Sequence, residues 1–244
     1  ALRHVLEPLW EARFAEHSYG FRPGRSCKDA LRRVDELLKS GHTWVVDADI
    51  KSYFDTIPKD QLLGEVAKVV SDGRVLRMIR MFLDQSVMDG MKEWKPAMGT
   101  PQGAVISPLL ANIYLHPVDL AIQAAGFEMV RYADDLVILC RSEAEAQQAL
   151  SLLREQMTQL QLTLHPEKTK LVDATVKGGF DFLGYHFERG MRWPRKKSMD
   201  KVKDRIRALT QRTSGKSLFA IVEALNTTLK GWFEYFKQSH YNVM

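Results

Sequence analysis

Asp134 and Asp135 stand side by side where two apolar, strand-like runs meet, residues 127–132 before them and 136–140 after. Two such runs joined across Ala133-Asp134-Asp135 predict a hairpin with paired carboxylates at its tip. Adjacent acids repel, and a divalent cation is a partner that offsets the repulsion. A further acid has similar surroundings: Trp44-Val45-Val46 reads as a buried strand running into Asp47-Ala48-Asp49-Ile50, which puts Asp49 at a strand end. Carboxylates converging from neighbouring strands suit two Mg²⁺ ions clamping an in-line phosphoryl displacement, one ion lowering the pKa of the attacking hydroxyl and the other stabilising the leaving pyrophosphate. Without context, the same residues also read as a solvated turn and a helix cap.

Those acids need a scaffold, and the spacing of apolar residues predicts one. Ser26 and Asp29 form a capping-box-like pair ahead of Ala30, Leu31, Val34, Leu37 and Leu38, with Gly41 where that helix should stop, so a helix delivers the chain to the Trp44 strand. Pro58 suits a first helical turn and is followed by Leu62, Val66 and Val70 at four-residue spacing; another helix is expected over residues 74–85. Met88-Asp89-Gly90-Met91 predicts a hairpin turn. Ser107-Pro108 starts a helix that Pro117 should break or kink before Gly126 ends it. Ser142 and Glu145 cap the next helix, whose stripe is Ala146, Leu150, Leu153, Met157 and Leu160. Val176-Lys177-Gly178-Gly179 is the clearest loop. Leu218, Ile221, Val222, Leu225, Leu229, Trp232, Phe233 and Phe236 recur with helical spacing, a stripe read as core packing.

Several short blocks accompany the acids in a fixed order: Tyr19-Gly20-Phe21-Arg22-Pro23-Gly24-Arg25-Ser26, then Asp49-Ile50-Lys51-Ser52-Tyr53-Phe54-Asp55, then Gly99-Thr100-Pro101-Gln102-Gly103 with Ser107-Pro108-Leu109-Leu110-Ala111-Asn112. After Tyr132-Ala133-Asp134-Asp135 come Leu164-His165-Pro166-Glu167-Lys168-Thr169-Lys170 and Phe182-Leu183-Gly184-Tyr185. In this order the blocks resemble a group II intron-type reverse transcriptase. The resemblance implies an α+β polymerase palm, an antiparallel sheet with helices on one face, followed by a small helical thumb. It also implies roles for single residues. Asp49, Asp134 and Asp135 are similar to the palm carboxylates that hold metal, with the Ile50 carbonyl as an extra ligand. Phe54 matches the steric gate that presses on the sugar and selects deoxynucleotides, although an aromatic is by itself more often core. Gln102 matches a residue lying near the nascent base pair, in a loop whose glycines let backbone approach closely. Lys168 is similar to the lysine beside the leaving phosphates, with Lys170 as its rival. Phe182, Leu183, Gly184 and Tyr185 resemble the primer grip. Residues around Leu225-Asn226, Gly231-Trp232 and Tyr235-Phe236 resemble the start of a maturase region. Relatives carry basic fingers strands ahead of the counterpart of residues 1–8 and further domains beyond the thumb, so the chain is expected to be an excerpt of a longer one.

Charge is concentrated rather than spread. Residues 189–216 contain eleven Lys and Arg against two Asp, a local +9 in a chain of net +5, which leaves −4 elsewhere. A basic tract directly after the expected primer grip predicts phosphate neutralisation along a duplex, with Arg192, Arg195, Lys196, Lys197 and Lys201 as contacts; in isolation it would read as a solvated helix face. Arg22 and Arg25 are further basic residues for template or triphosphate, with capping, turn or salt-bridge duties equally open. At 244 residues and 45% apolar the chain has material for one sizeable core or two modest ones. No run approaches the roughly 20 apolar residues of a membrane span. Two cysteines, Cys27 and Cys140, are too few for a disulfide framework or a zinc site.

The expected organisation is a fingers remnant over residues 1–42, a palm over 43–188 and a basic linker with helical thumb over 189–244. The expected activity is RNA-directed DNA polymerisation by two Mg²⁺ ions, with Mn²⁺ as a substitute, on an RNA template, a DNA or RNA primer and deoxynucleoside triphosphates, in cytoplasm of bacterial or organellar origin. Intron RNA is a further expected partner. Two other classes compete: a non-catalytic maturase module that grips intron RNA, and another palm-type nucleotidyl enzyme such as a cyclase or primase-like synthase.

Overall fold

Residues 2–89, 92–94, 97–101 and 104–240 are described by a computed structural model of the chain. The chain divides into two compact units, Ala1–Val172 and Asp173–Met244. The sequence-level boundary after residue 188 falls within the second of these.

In the first unit the elements run α1 (Leu2–Glu11), α2 (Cys27–Lys39), β1 (Trp44–Asp49), α3 (Tyr53–Thr56), α4 (Lys59–Ala67), α5 (Gly73–Leu83), β2 (Val87–Asp89), β3 (Lys92–Trp94), α6 (Ser107–Ala124), β4 (Glu128–Tyr132), β5 (Asp135–Cys140) and α7 (Glu143–Gln159), with β6 (Lys170–Asp173) closing it. Strands β4, β5, β1 and β6 form one sheet in that order. β5 runs antiparallel to both neighbours, and its register places Asp49 opposite Asp135 and Tyr132 opposite Asp135 on the other side. Leu136, Ile138 and Cys140 of β5 join Val46 and Ala48 of β1 in a core shared with α6 and α7. The alternate residues Val137 and Leu139 are buried too, and α2 packs on β4 and β5. Pleat alternation therefore leaves little of β5 open except at its acidic end.

Most predicted elements appear. At the start of α2 the Ser26 amide and hydroxyl both donate to the Asp29 carboxylate, at 2.9 and 2.6 Å. Pro58 occupies the residue just ahead of α4 rather than its first turn, and α5 spans 73–83 with Asp72 accepting from the Arg74 amide. β2 and β3 pair, Asp89 with Lys92; Gly90 and Met91 of the expected turn lie outside the described residues. Pro117 does not divide α6, which runs unbroken for 18 residues. A mid-helix proline costs about 3 kcal/mol, whereas twelve residues of α6 are buried, each large apolar one worth roughly 1.5–3 kcal/mol. Packing outweighs the lost hydrogen bond.

The second unit holds β7 (Phe180–Phe182), β8 (Tyr185–Glu188), β9 (Met191–Pro194), α8 (Lys196–Leu209) and α9 (Leu218–Phe236). The three strands form an antiparallel meander. The apolar stripe of α9 departs from the core reading: Phe236 is buried, whereas Leu218, Val222, Leu229 and Phe233 are exposed among the described residues. Helical periodicity placed these residues on a helix but did not specify what covers them.

Candidate active site

Ala133 and Asp134 are the two residues between β4 and β5, because Tyr132 already pairs with Asp135. Ala133 has φ +60°, a left-handed conformation that costs a residue with a Cβ. The turn is thus two residues long, and Asp135 belongs to β5. On the neighbouring strand, Asp49 ends β1 directly across from Asp135. Like charges so placed destabilise a sheet unless something positive intervenes.

The end of β1 is stitched to the segment carrying Lys168. His165 N–H donates to the Asp49 carbonyl at 2.7 Å, Lys51 N–H donates to the Thr163 carbonyl at 2.9 Å, and Ile50 bridges Leu164. Lys168 Nζ then reaches Asp49 Oδ2 at 2.8 Å, while Lys170 is an exposed residue of β6. Asp49, Ile50, Phe54, Asp134, His165 and Lys168 line a common open cleft of about 490 Å³. Burial holds the Asp134 carboxyl above the ordinary carboxylate range, and the negative charge of Asp49 pushes it the same way, against the Asp134 amide and the Arg131 guanidinium.

Phe54 is set by its backbone. Ser52 takes φ +49° ahead of the short α3, the Phe54 carbonyl accepts from Thr100 N–H at 2.8 Å, and Gly99 N–H donates to the Ile57 carbonyl at 2.8 Å. A Cβ on Gly99 would lie 2.8 Å from the Phe54 carbonyl oxygen and 2.9 Å from the Asp55 Cα, so only glycine lets this loop seat there. The Phe54 ring meets Tyr53 and Phe21 edge-on at 5.4 and 6.5 Å. Gln102 and Gly103 lie outside the described residues.

These donors fit a divalent cation. Asp49 and Asp134 line one cleft together with Ile50, Mg²⁺ is commonly held by one or two carboxylates with water and substrate phosphates completing its shell, and Asp49 already takes a cationic partner in Lys168. Among the described residues no three His, Cys, Asp or Glu side chains close around one point to hold an ion.

In the second unit Phe182 and Tyr185 flank a turn in which Leu183 and Gly184 both have positive φ, +47° and +82°, the pattern of a tight type I′ hairpin. Phe182 and Tyr185 are buried, so of this quartet only the turn itself reaches the surface. The Gly184 carbonyl accepts from the Arg195 amide and the Ser198 hydroxyl, both at 3.0 Å, and the Tyr235 hydroxyl donates to the Leu183 carbonyl at 2.8 Å.

The basic residues divide by burial. Lys196, Lys197 and Lys201 are exposed on α8. Arg192 is instead buried, donates Nε–H to the Gln238 carbonyl and lies over the Tyr185 ring. Arg195 is half-buried just ahead of α8. Arg22 takes the salt-bridge alternative: its guanidinium is buried, ion-paired to Glu11 at 2.6 Å and bonded to the Ala15 and Ser18 carbonyls. Arg25 donates to the Glu16 carbonyl and sits over the Tyr19 ring. With its Nε, Nη1 and Nη2 all bonded, the Arg22 guanidinium has no donors left for phosphate. The sequence assigns no role to Arg131, and Asn112 and Gly20 enter it only as members of the ordered blocks, yet the three gather behind the hairpin tip; the visible signal was an arginine in the strand run that leads into the acids.

An antiparallel palm sheet with acids at the tip of one hairpin and the end of the adjacent strand defines a polymerase-palm protein. The family model of reverse transcriptase (RNA-dependent DNA polymerase) matches residues 1–187, and that of the group II intron maturase-specific domain matches residues 199–243; the chain belongs to the reverse transcriptase family, in its group II intron branch. It is similar to the group II intron-encoded protein LtrA of Lactococcus lactis subsp. cremoris, 40% identical over 119 residues, covering 49% of this chain and 20% of that protein. It is 32% identical over 231 residues to protein YkfC of Escherichia coli, covering 78% and 59%. An uncharacterized 91 kDa protein in the cob intron of Schizosaccharomyces pombe is 44% identical over 118 residues, covering 48% and 14%. The chain thus spans a fifth or less of LtrA and of the fission-yeast protein. Apo telomerase from Candida tropicalis superposes with a TM-score of 0.63 at 14% identity, over 96% of this chain and 49% of that one, a likeness of fold. Among the described residues no helix is long and apolar enough to cross a membrane. Cys27 and Cys140 are free, and burial pushes the Cys140 thiol up to about 12.

Proposed function

We propose that the chain is the palm and thumb portion of an RNA-directed DNA polymerase, with residues 43–188 as palm and 189–244 as basic linker and thumb. The observation that carries this is the convergence of Asp49, Asp134, Phe54 and Lys168 on one cleft. A primer 3′-hydroxyl held over the cleft attacks the α-phosphate of a deoxynucleoside triphosphate; the new O–P bond forms as the bond to pyrophosphate breaks. Asp49, Asp134 and the Ile50 carbonyl would hold two Mg²⁺ ions, or Mn²⁺, which when bound supply activation of the hydroxyl and neutralisation of the leaving group. Asp135 supports Asp49 from the facing strand position. Lys168 stands where an ammonium can neutralise or protonate the departing phosphates. Phe54 bounds the sugar side of the cleft and disfavours a ribose hydroxyl, Gln102 contributes to nucleotide binding, and the Leu183-Gly184 turn grips the primer end. The exposed lysines of α8 contact phosphate without regard to sequence.

A second role, retention of intron RNA, is favoured by the maturase-domain match over residues 199–243 together with the basic α8. Family membership over residues 1–187 weighs against a primer-independent cyclase. The test is primer extension on an RNA template with Mg²⁺ and deoxynucleotides, by the chain and by a form with further residues added at its amino end. Incorporation that Asp134→Asn abolishes at unchanged RNA affinity supports the polymerase; RNA binding with no incorporation by either form leaves the maturase module instead.

A further inference from the structure

Behind the hairpin tip lies a buried polar cluster that the nucleotide-transfer reading does not use. Arg131, on β4 two residues before Ala133, has a side chain 1% exposed and is ion-paired to the equally buried Asp119 of α6. Its Nε donates to Asp119 Oδ1 at 2.6 Å and its Nη2 to Ser18 Oγ at 2.8 Å. Its Nη1 donates to Asn112 Oδ1 at 2.9 Å and to the Ala133 carbonyl at 2.8 Å. The last bond lands on the residue with positive φ. Asn112 in turn donates Nδ2–H to the Gly20 carbonyl at 2.7 Å, and Gly20 lies so close to the turn that a Cβ there would be 2.3 Å from the Ala133 nitrogen. The outer edge of β4 is closed by the same segment: Tyr19 N–H donates to the Arg131 carbonyl at 2.8 Å, and Arg131 N–H to the His17 carbonyl at 3.0 Å.

A single arginine thus ties separate pieces of chain to the two-residue turn. Burying a guanidinium is costly, and it persists where every donor is satisfied and the arrangement fixes one geometry. Strained backbone persists only where its surroundings over-determine it. We propose that Arg131 and Asn112 are positioning residues that, with the close approach of Gly20, clamp the Ala133-Asp134 turn and so hold the Asp134 carboxylate at a fixed place in the cleft. The catalytic consequence rests on the polymerase reading of that cleft; the clamping itself does not.

The test compares the wild-type chain, in its amino-extended form, with Asn112→Ala and Gly20→Ala. Asn112→Ala removes the links to Gly20 and Arg131 yet leaves the Arg131–Asp119 pair, and Gly20→Ala forces a methyl against the Ala133 nitrogen. Hydrogen exchange read amide by amide is expected to speed up by about tenfold over residues 131–136 while α7 and the middle of β1 keep wild-type protection. In primer extension kcat is expected to fall by about a hundredfold with KM for primer–template unchanged, the pattern of a group displaced by about an ångström. Unchanged exchange at the turn overturns the proposal, as does faster exchange spread evenly through the first unit or a loosened turn with unaltered kcat. If the turn loosens as expected and the wild-type protein incorporates no nucleotide, the clamp stands and the polymerase reading fails.

Discussion

Lys168 and Asp49, 119 positions apart in sequence, are joined by a 2.8 Å contact between ammonium and carboxylate. Both side chains are substantially exposed, 59% and 44%, so the pair contributes at most about 1 kcal/mol to stability. Its importance is positional: it brings a positive charge into the lining of the cleft that Asp49 and Asp134 share.

Replacing Lys168 with methionine is therefore expected to leave the melting temperature nearly unchanged and to lower kcat by about 10²-fold, the usual scale for a lost general acid or charge neutraliser. Chemical-step rates from single-turnover extension check this. A Lys168→Met protein extending primers at the wild-type rate would remove the lysine from the reaction.

Asp134 should behave as a carboxylate whose ionisation opposes folding. Its folded-state carboxyl is held above the ordinary range, so the native state binds more protons than the unfolded one, and stability falls as pH rises from the unfolded value through the folded one. In the absence of divalent ions Asp134→Asn is expected to melt above wild type at pH 7, with the gap closing in acid. Adding Mg²⁺ should raise the melting point of wild type more than that of the variant. Thermal melts at pH 7 and pH 4, with and without Mg²⁺, decide it; identical responses in the two proteins would contradict the assignment of Asp134 as a metal ligand.

Phe54 should govern sugar selection. Phe54→Ala is expected to raise ribonucleotide incorporation relative to deoxynucleotide by about tenfold or more, because removing a steric clash admits the extra hydroxyl. Gly99→Ala, which would drive a methyl against the Phe54 carbonyl, should disturb the same ratio. Competitive kcat/KM values for matched ribo- and deoxynucleotides provide the measurement, and an unmoved ratio in Phe54→Ala would exclude the gate.

The basic residues of the second unit should separate into two kinds. Substituting Lys196, Lys197 and Lys201 together by alanine is expected to reduce the slope of log affinity against log salt by about 2–3 on duplex nucleic acid, roughly 0.9 for each phosphate that is no longer neutralised. Arg192→Ala should instead lower the melting temperature and leave that slope alone, because its guanidinium serves the Gln238 carbonyl and the Tyr185 ring. Binding titrations at several salt concentrations distinguish the two, and an equal drop in slope from Arg192→Ala would return it to the binding surface.

Local features were legible from the residues alone. The Ser26–Asp29 cap, the periodic faces of α2 and α7, the strand run into Asp49 and the ordered blocks that mark a reverse transcriptase all depend on neighbours a few positions apart, and short-range spacing records them directly. Distances across the chain left no such trace. The pairing of Asp49 with Asp135, the burial of Arg22 and Arg192, the interior placement of Phe182 and Tyr185, and the Arg131 cluster behind Ala133 were settled only by tertiary structure. A one-residue slip of register would turn every side chain of a strand to the opposite face, and whether an arginine meets phosphate or carbonyl oxygen depends on which distant segment folds over it. Pro117 shows the same division: its local tendency to end a helix is plain in the sequence, and the packing of α6 overrules it.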